Sequence, residues 1–306
     1  MTGALAWFVV RMAAAGTLDW RPLSDPGCGA RGLVQAVQAG GTAYVAGMRA
    51  GRFEGIGKSV DGRKTWTLLE GPARGLPRQG TPTTAADVHC LPDMPEIAWA
   101  LAGGTLFRTS DGGASWGPIG GIAGLTSFAA DAANPARFFV GGAEGIYLCT
   151  DGLSLQLMPD SPKAADRLVL APGPVFMLYV VRWGKSPGGL IRNVGRSWVT
   201  VRADPAIADI AVDARDPRRL AVLTREGAGT GPATGVWVTR DGGKTWIQAN
   251  AGLTVRGGNT IRFDPRDPDR LILVTEGHGC FGARWPPDRA RGPARRPVSS
   301  SSGGGS

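Results

Sequence analysis

The chain has 306 residues, 42% hydrophobic, 19% charged, with 48 glycines and a formal net charge of +9. That length and apolar content allow one large core, and the scattered glycine has no collagen period. The low charge excludes a long solvated helix or coiled coil, and no apolar run reaches the roughly 18 residues of a membrane-crossing helix.

In chain order, residues 1–16 read as a disordered or vestigial export segment. Ala4 to Val10 is apolar, Arg11 interrupts it, and Ala13-Ala14-Ala15-Gly16 resembles a small-residue cleavage site. Leu18-Asp19-Trp20-Arg21-Pro22-Leu23 then reads as an orphan strand. From there a motif recurs: Ser/Thr, any residue, Asp, Gly, and a Trp five residues after the Asp. It stands as Ser59-Val60-Asp61-Gly62 with Trp66, as Thr109-Ser110-Asp111-Gly112 with Trp116, and as Thr239-Arg240-Asp241-Gly242 with Trp246. Two copies are worn: Cys149-Thr150-Asp151-Gly152 has Gln156 at the Trp position, and Asn193 replaces Asp ahead of Trp198. Positions 66, 116, 156, 198 and 246 are about 40–50 residues apart, the length of a four-stranded propeller blade.

A second signature alternates with the first. An apolar strand ends in Asp, an Asn/Asp-Pro turn follows, and an Arg opens the next strand: Asp131…Asn134-Pro135…Arg137, Asp213…Asp216-Pro217…Arg219, Asp264…Asp267-Pro268…Arg270. Pro presets the turn and the Asx side chain closes it, so each copy reads as a hairpin joining the first two strands of a blade (A and B). The box motif then joins strands C and D. The last repeat supplies A, B and C up to Trp285 but no box. The expected fold is therefore all-β: a single propeller of six four-stranded blades over residues 17–287, with Leu18 to Leu23 closing the last blade. Residues 288–306 form a basic, then Ser/Gly-rich, linker-like tail.

These motifs resemble the Asp-box, or bacterial neuraminidase repeat, of sialidases, xyloglucanase-like glycosidases and photosystem II assembly factors. The resemblance implies the propeller. It places the boxes on the outer C–D turns, away from the ligand face, which the B–C and D–A connections share. It carries over no sialidase residue. Arg21-Pro22 lacks the intervening residue of the sialidase Arg-Ile-Pro segment, and the three tyrosines, Tyr44, Tyr147 and Tyr179, lie outside the closing blades.

On the expected ligand face the candidate binding residues are Arg49, Arg52, Glu54, Glu144, Arg182, an exposed Trp183, Arg225, Glu226, Glu276 and His278. The D–A connections add Arg31, Arg78, Lys163, Arg167 and Arg256. The connections 47–58, 182–189 and 225–235 are the long ones, and length beyond about six residues asks for a reason. The same residues equally suit solvated polar loops. No catalytic set is assigned, and no metal or cofactor is expected, since two histidines and four dispersed cysteines supply no ligand cluster. Nucleic acid has only the positive charge in its favour, without interleaved aromatics.

The expected function is non-catalytic binding or assembly, as a monomer, with a polysaccharide, glycan or protein partner. The alternative is a glycoside hydrolase or glycan-binding protein of the sialidase/xyloglucanase-like type. An extracellular or periplasmic location is expected, with the cytoplasm left open. Cys28 and Cys280 are expected either to form a disulfide that pins the ring or to stay free like Cys90 and Cys149.

Overall fold

The computed structural model describes residues 18–22, 33–39, 42–49, 52–61, 65–83, 86–91, 94–131, 134–171, 177–185, 187–195, 197–227, 230–264, 267–275 and 279–285. The N-terminal strand is β1 (Arg21–Pro22). Blade one follows as β2 (Leu33–Ala39), β3 (Thr42–Arg49), β4 (Arg52–Ser59) and β5 (Thr67–Leu69). Blade two is β6 (Asp87–Leu91), β7 (Met94–Ala102), β8 (Thr105–Thr109) and β9 (Gly117–Pro118). Blade three is β10 (Leu125–Asp131), β11 (Asn134–Gly142), β12 (Ile146–Cys149) and β13 (Gln156–Leu157). Blade four is β14 (Arg167–Ala171), β15 (Met177–Arg182), β16 (Gly189–Val194) and β17 (Ser197–Arg202). Blade five is β18 (Ile207–Val212), β19 (Leu220–Thr224), β20 (Val236–Thr239) and β21 (Ile247–Gln248). Blade six is β22 (Thr260–Asp264), β23 (Asp267–Val274) and β24 (Cys280–Arg284), completed by β1.

The protein is thus an all-β, six-bladed propeller, closed as expected. β1 pairs antiparallel with β24, Arg21 opposite Gly282 and Pro22 opposite Phe281. A two-residue strand holds little by itself, so Trp20 matters more. Its ring is 2% exposed, its Nε1 donates to Ala249 O at 2.8 Å, and its backbone N–H donates to Ala251 O at 2.8 Å. Gly252, at φ +81°, lets the Trp20 carbonyl approach within 2.2 Å of where a Cβ would stand. The closing strand therefore grips blade five as well as blade six. Cys280 is disulfide-bonded, whereas Cys90 and Cys149 are free and buried. A chain with four unbridged cysteines is set aside, and Cys28, the expected partner, lies outside the described residues.

Burial explains why the middle strands are apolar on both faces. Every residue of β19 is buried, as are five of seven in β10, because each blade packs another blade on either side. Among the described residues the apolar clusters lie between successive blades, from one-with-two through five-with-six. Each box tryptophan of blades two, four and five packs toward the preceding blade: Trp116, Trp198 and Trp246 join the clusters before their own. Trp66 differs. It lies over Gly57 of its own blade and stays 40% exposed.

Both repeated motifs act as local locks. In the box, Asp111 accepts from Thr109 Oγ1 at 2.7 Å, Ser115 N at 2.9 Å and Ser115 Oγ at 2.5 Å, while Thr109 Oγ1 accepts from Gly113 N at 2.9 Å. Asp241 repeats this with Thr239 and Thr245. The paired glycines take φ of +69° and +88°, and +73° and +92°, which an L side chain resists. In the A–B hairpin the strand-ending Asp meets the Arg across the turn: Arg219–Asp213 at 2.7 Å, Arg270–Asp264 at 3.7 Å, and the close Arg137–Asp131 pair.

The hydroxyl and backbone donors of Ser115 hold Asp111 well below the ordinary carboxylate range, and Thr245 does the same for Asp241. A depressed acid contributes stability above the unfolded pKa and loses it as pH falls through the folded one. Asp111→Ala and Asp241→Ala are therefore expected to lower the melting temperature at neutral pH, by an amount that shrinks in strong acid. Partner binding by the folded fraction should be unchanged. Binding lost at an unaltered melting temperature would make these turns a site.

Candidate functional site

The B–C and D–A connections share one face, because strand direction alternates through each blade. Arg49 and Arg52 face each other at the tip of the β3–β4 hairpin. The expected long loop over 47–58 is instead two continuous strands, a correction with a clear cause. A register shift beside Gly47 carries the pairing onward to Arg49–Arg52. The following chain then crosses the hairpin, with Phe53 N donating to Thr81 O and Gly80 N to Phe53 O. Arg52 donates to Gly80 O at 2.7 Å, and Glu54 accepts from Gln79 at 3.2 Å. Those two candidates brace the hairpin. Glu144 sits 3.6 Å from Lys163 with both side chains about 70% exposed, a pair of little energetic weight. Glu226 is exposed. Glu276, His278 and Arg31 lie outside the described residues, as does the side chain of Arg49.

Arg182, Trp183 and Arg225 do come together, between blades four and five. The expectation of an exposed Trp183 is corrected. Its ring is half-buried against the inter-blade core, and the Arg225 guanidinium lies 4.1 Å from the ring centroid. Gly227 packs on the ring so closely that a Cβ would meet it at 2.2 Å. Trp183 N donates to Asp166 at 2.8 Å, and Arg225 donates to Asn259 at 3.4 Å. Burial raises the Asp166 pKa, opposed by Lys185, the Trp183 N–H, Arg182 and Arg225. One carboxylate thus feels the charge of three cations beside a half-buried indole. Next to Arg225, Thr224 Oγ1 closes the base of the 225–235 connection by accepting from Thr234 N and Gly235 N, each at 2.8 Å.

The second cluster was not legible in advance. It occupies the propeller axis, where the inner strands begin. Arg167, expected in a D–A connection, opens β14 and reaches Asp87 of blade two at 3.3 Å and Asp209 of blade five at 3.1 Å. Arg262 of blade six meets Asp209 at 2.7 Å, and Arg167 also contacts Thr260 at 3.4 Å. Asp87 and Asp209 are 3% and 0% exposed. Burial pushes Asp87 up to about 6 against the pull of Arg167, Arg262 and the Val88 N–H. Burial also disfavours the Arg167 charge, but Asp209 and Asp87 outweigh it and raise its pKa. The available signal was a charge embedded in an apolar inner strand, as in Ile207-Ala208-Asp209-Ile210. Nearby, His89 packs with Trp99 and Phe128, and burial lowers it to about 4. It is neutral at pH 7. Among the described residues no group of side chains has a metal-holding arrangement.

No protein-family model matches the chain. A curated xyloglucanase from Paenibacillus sp. is 25% identical over 256 residues, 81% of this chain and 24% of the relative. The chain therefore spans about a quarter of that protein. A GH74 enzyme of Niastella koreensis superposes with a TM-score of 0.61 at 19% identity, over 80% of this chain and 43% of the enzyme. The GH74 xyloglucanase of Xanthomonas campestris gives 0.59 at 22% identity, over 81% and 36%. YCF48 bound to a D1 peptide gives 0.57 at 15% identity, over 85% of this chain and 79% of YCF48. At these identities the structural likenesses show the propeller fold.

Proposed function

We propose that this chain is a binding or assembly propeller that takes a protein or polymer partner on its loop face, centred between blades four and five. The observation that carries this reading is the Arg225 guanidinium stacked on the half-buried Trp183, whose backbone N–H donates to Asp166, a carboxylate whose pKa Lys185, Arg182 and Arg225 pull down against its burial. An indole fixed by stacking costs little entropy when a partner arrives, and the excess cations favour an acidic segment. The overall charge of +9 adds long-range attraction. Likeness to YCF48 bound to a peptide supports a peptide-like partner. The Cys280 disulfide supports an extracellular or periplasmic setting.

The alternative, a glycoside hydrolase, draws on the xyloglucanase relatives and on the raised pKa of Asp87. Such an enzyme needs two carboxyl groups flanking a sugar bond at roughly 5–10 Å. Asp87 and Asp209 bear on Arg167 from within the axis, so a substrate would first have to displace that arginine. The test is binding of an acidic peptide panel and of xyloglucan oligosaccharides, with product release measured alongside. Lys185→Glu with Arg182→Glu is expected to weaken acidic-peptide binding by at least about tenfold, and added salt should weaken it in the wild type. Release of reducing sugar by wild-type protein would transfer the assignment to the hydrolase.

A further inference from the structure

We propose that the axial cluster of Asp87, Arg167, Asp209, Arg262 and Thr260 is a proton-gated anion site, taking a small tetrahedral or carboxylate anion onto Arg167. This site is separate from whatever occupies the loop face. The argument starts from charge balance. Two arginines and two aspartates cancel while both acids are ionised. Arg167 is the shared member, 3.3 Å from Asp87 and 3.1 Å from Asp209, with its side chain only 12% exposed. Asp209 is committed elsewhere too: its Oδ2 accepts from Ile261 N at 3.0 Å and from Arg262 at 2.7 Å. Its Oδ1, although close to Arg167 Nε, has no aligned hydrogen bond. Asp87 is thus the partner that can be lost.

Protonation from solvent makes Asp87 neutral and leaves the cluster with one uncompensated positive charge. A buried unpaired charge is costly, and a solvent anion relieves it. On the blade-six side Arg262 keeps 29% of its side chain exposed, the part of the cluster that meets solvent most. Thr260 adds a hydroxyl beside the Arg167 fork, and a guanidinium fork suits two oxygens of one anion.

The groups facing Asp87 are Arg167 from β14, Asp209 from β18, Arg262 from β22 and the Val88 N–H from its own strand. His89, two residues along that strand, is buried with its pKa lowered to about 4, so it stays neutral across the window. Burial places the Asp87 transition at about 6. The sign follows. Raised above its unfolded value, Asp87 favours the folded state fully only below the unfolded pKa, and this is lost as pH rises through about 6. Proton and anion therefore bind together, each tightening the other.

Sulfate is the probe, titrated calorimetrically with ionic strength held by a bulky sulfonate. With a transition near 6 the protonated fraction falls from about nine-tenths at pH 5 to about one-hundredth at pH 8, so wild-type affinity should drop about a hundredfold. Asp87→Asn, permanently neutral, should bind at pH 8 as tightly as wild type does at pH 5. Arg167→Lys should weaken binding by losing the fork, and Arg167→Gln should abolish it. Should Arg167→Gln fail to fold, the Asp87→Asn comparison decides alone. Equal wild-type affinity at both pH values overturns the proposal, and so does an undiminished pH dependence in Asp87→Asn. Loss of the pH difference in Lys185→Glu would put the anion on the loop face and overturn it as well.

Discussion

Trp20→Ala is expected to destabilise the protein by about 3–5 kcal/mol in chemical denaturation, the cost of emptying a buried aromatic site. The ring is 2% exposed and lies in the cluster shared by blades five and six, with Leu18, Leu223, Val236, Phe281 and Trp285. Two anchors are involved. The indole N–H to Ala249 O is lost with the side chain, while the backbone bond to Ala251 O survives only if the strand stays docked. Trp20→Phe separates them: most of the apolar burial is kept and one hydrogen bond is lost, an expected cost of about 1–2 kcal/mol. Closure also removes an open sheet edge from β24, so Trp20→Ala should self-associate when partly unfolded, which light scattering would detect. A loss below about 1 kcal/mol would mean that β1 is decoration and that another contact holds the ring.

The second large effect is expected at Asp209. Its side chain is 0% exposed and holds both Arg167 and Arg262. Asp209→Ala leaves two axial cations with only Asp87 between them, and removing one partner of a buried pair costs about 3–5 kcal/mol. It also frees the Ile261 N–H, which donates to Asp209 at 3.0 Å. Much of that cost comes from stranded charge, so adding Arg262→Met to Asp209→Ala should recover part of it. The double-mutant cycle gives the coupling directly. Additive losses would show that the two residues do not act as a pair, and that the axial cluster is a set of independent contacts.

The two clusters differ in how far chain order reveals them. Arg182, Trp183 and Arg225 stand in the connections that motif spacing marks out, so the loop-face group is within reach of chain order. Its sequence neighbours do not show that Trp183 is covered, because the cover comes from Arg225 and Gly227, a blade away. Asp87 and Asp209 lie in the apolar inner strands of blades two and five, more than 100 positions apart. Nothing in either stretch says that a ring of six will point both at one arginine from blade four. The hairpin over 47–58 fails for a related reason. Its polar, glycine-containing sequence suits a loop, and it becomes strand because the register shift beside Gly47 extends the β3–β4 pairing, with the segment 80–82 adding partners at Arg52 and Phe53.

The blade count and the strand order within each blade are legible in chain order because they rest on interactions within a few residues, and the closing strand follows from the count, an orphan strand near one end and a blade one strand short near the other. The Asp–Ser/Thr bonds of a box span four residues, the glycines permit the turn, and the Asp–Arg pair across each A–B hairpin spans six. Such local devices repeat with the blade and leave a period in the chain. The tertiary structure alone decides which charges meet at the axis, which tryptophan is covered and that Trp20 also grips blade five. These contacts join residues between 42 and 231 positions apart, and they depend on the curvature of the whole ring. Burial then turned an ordinary aspartate into one that titrates near 6, because desolvation depends on every blade that shuts out water.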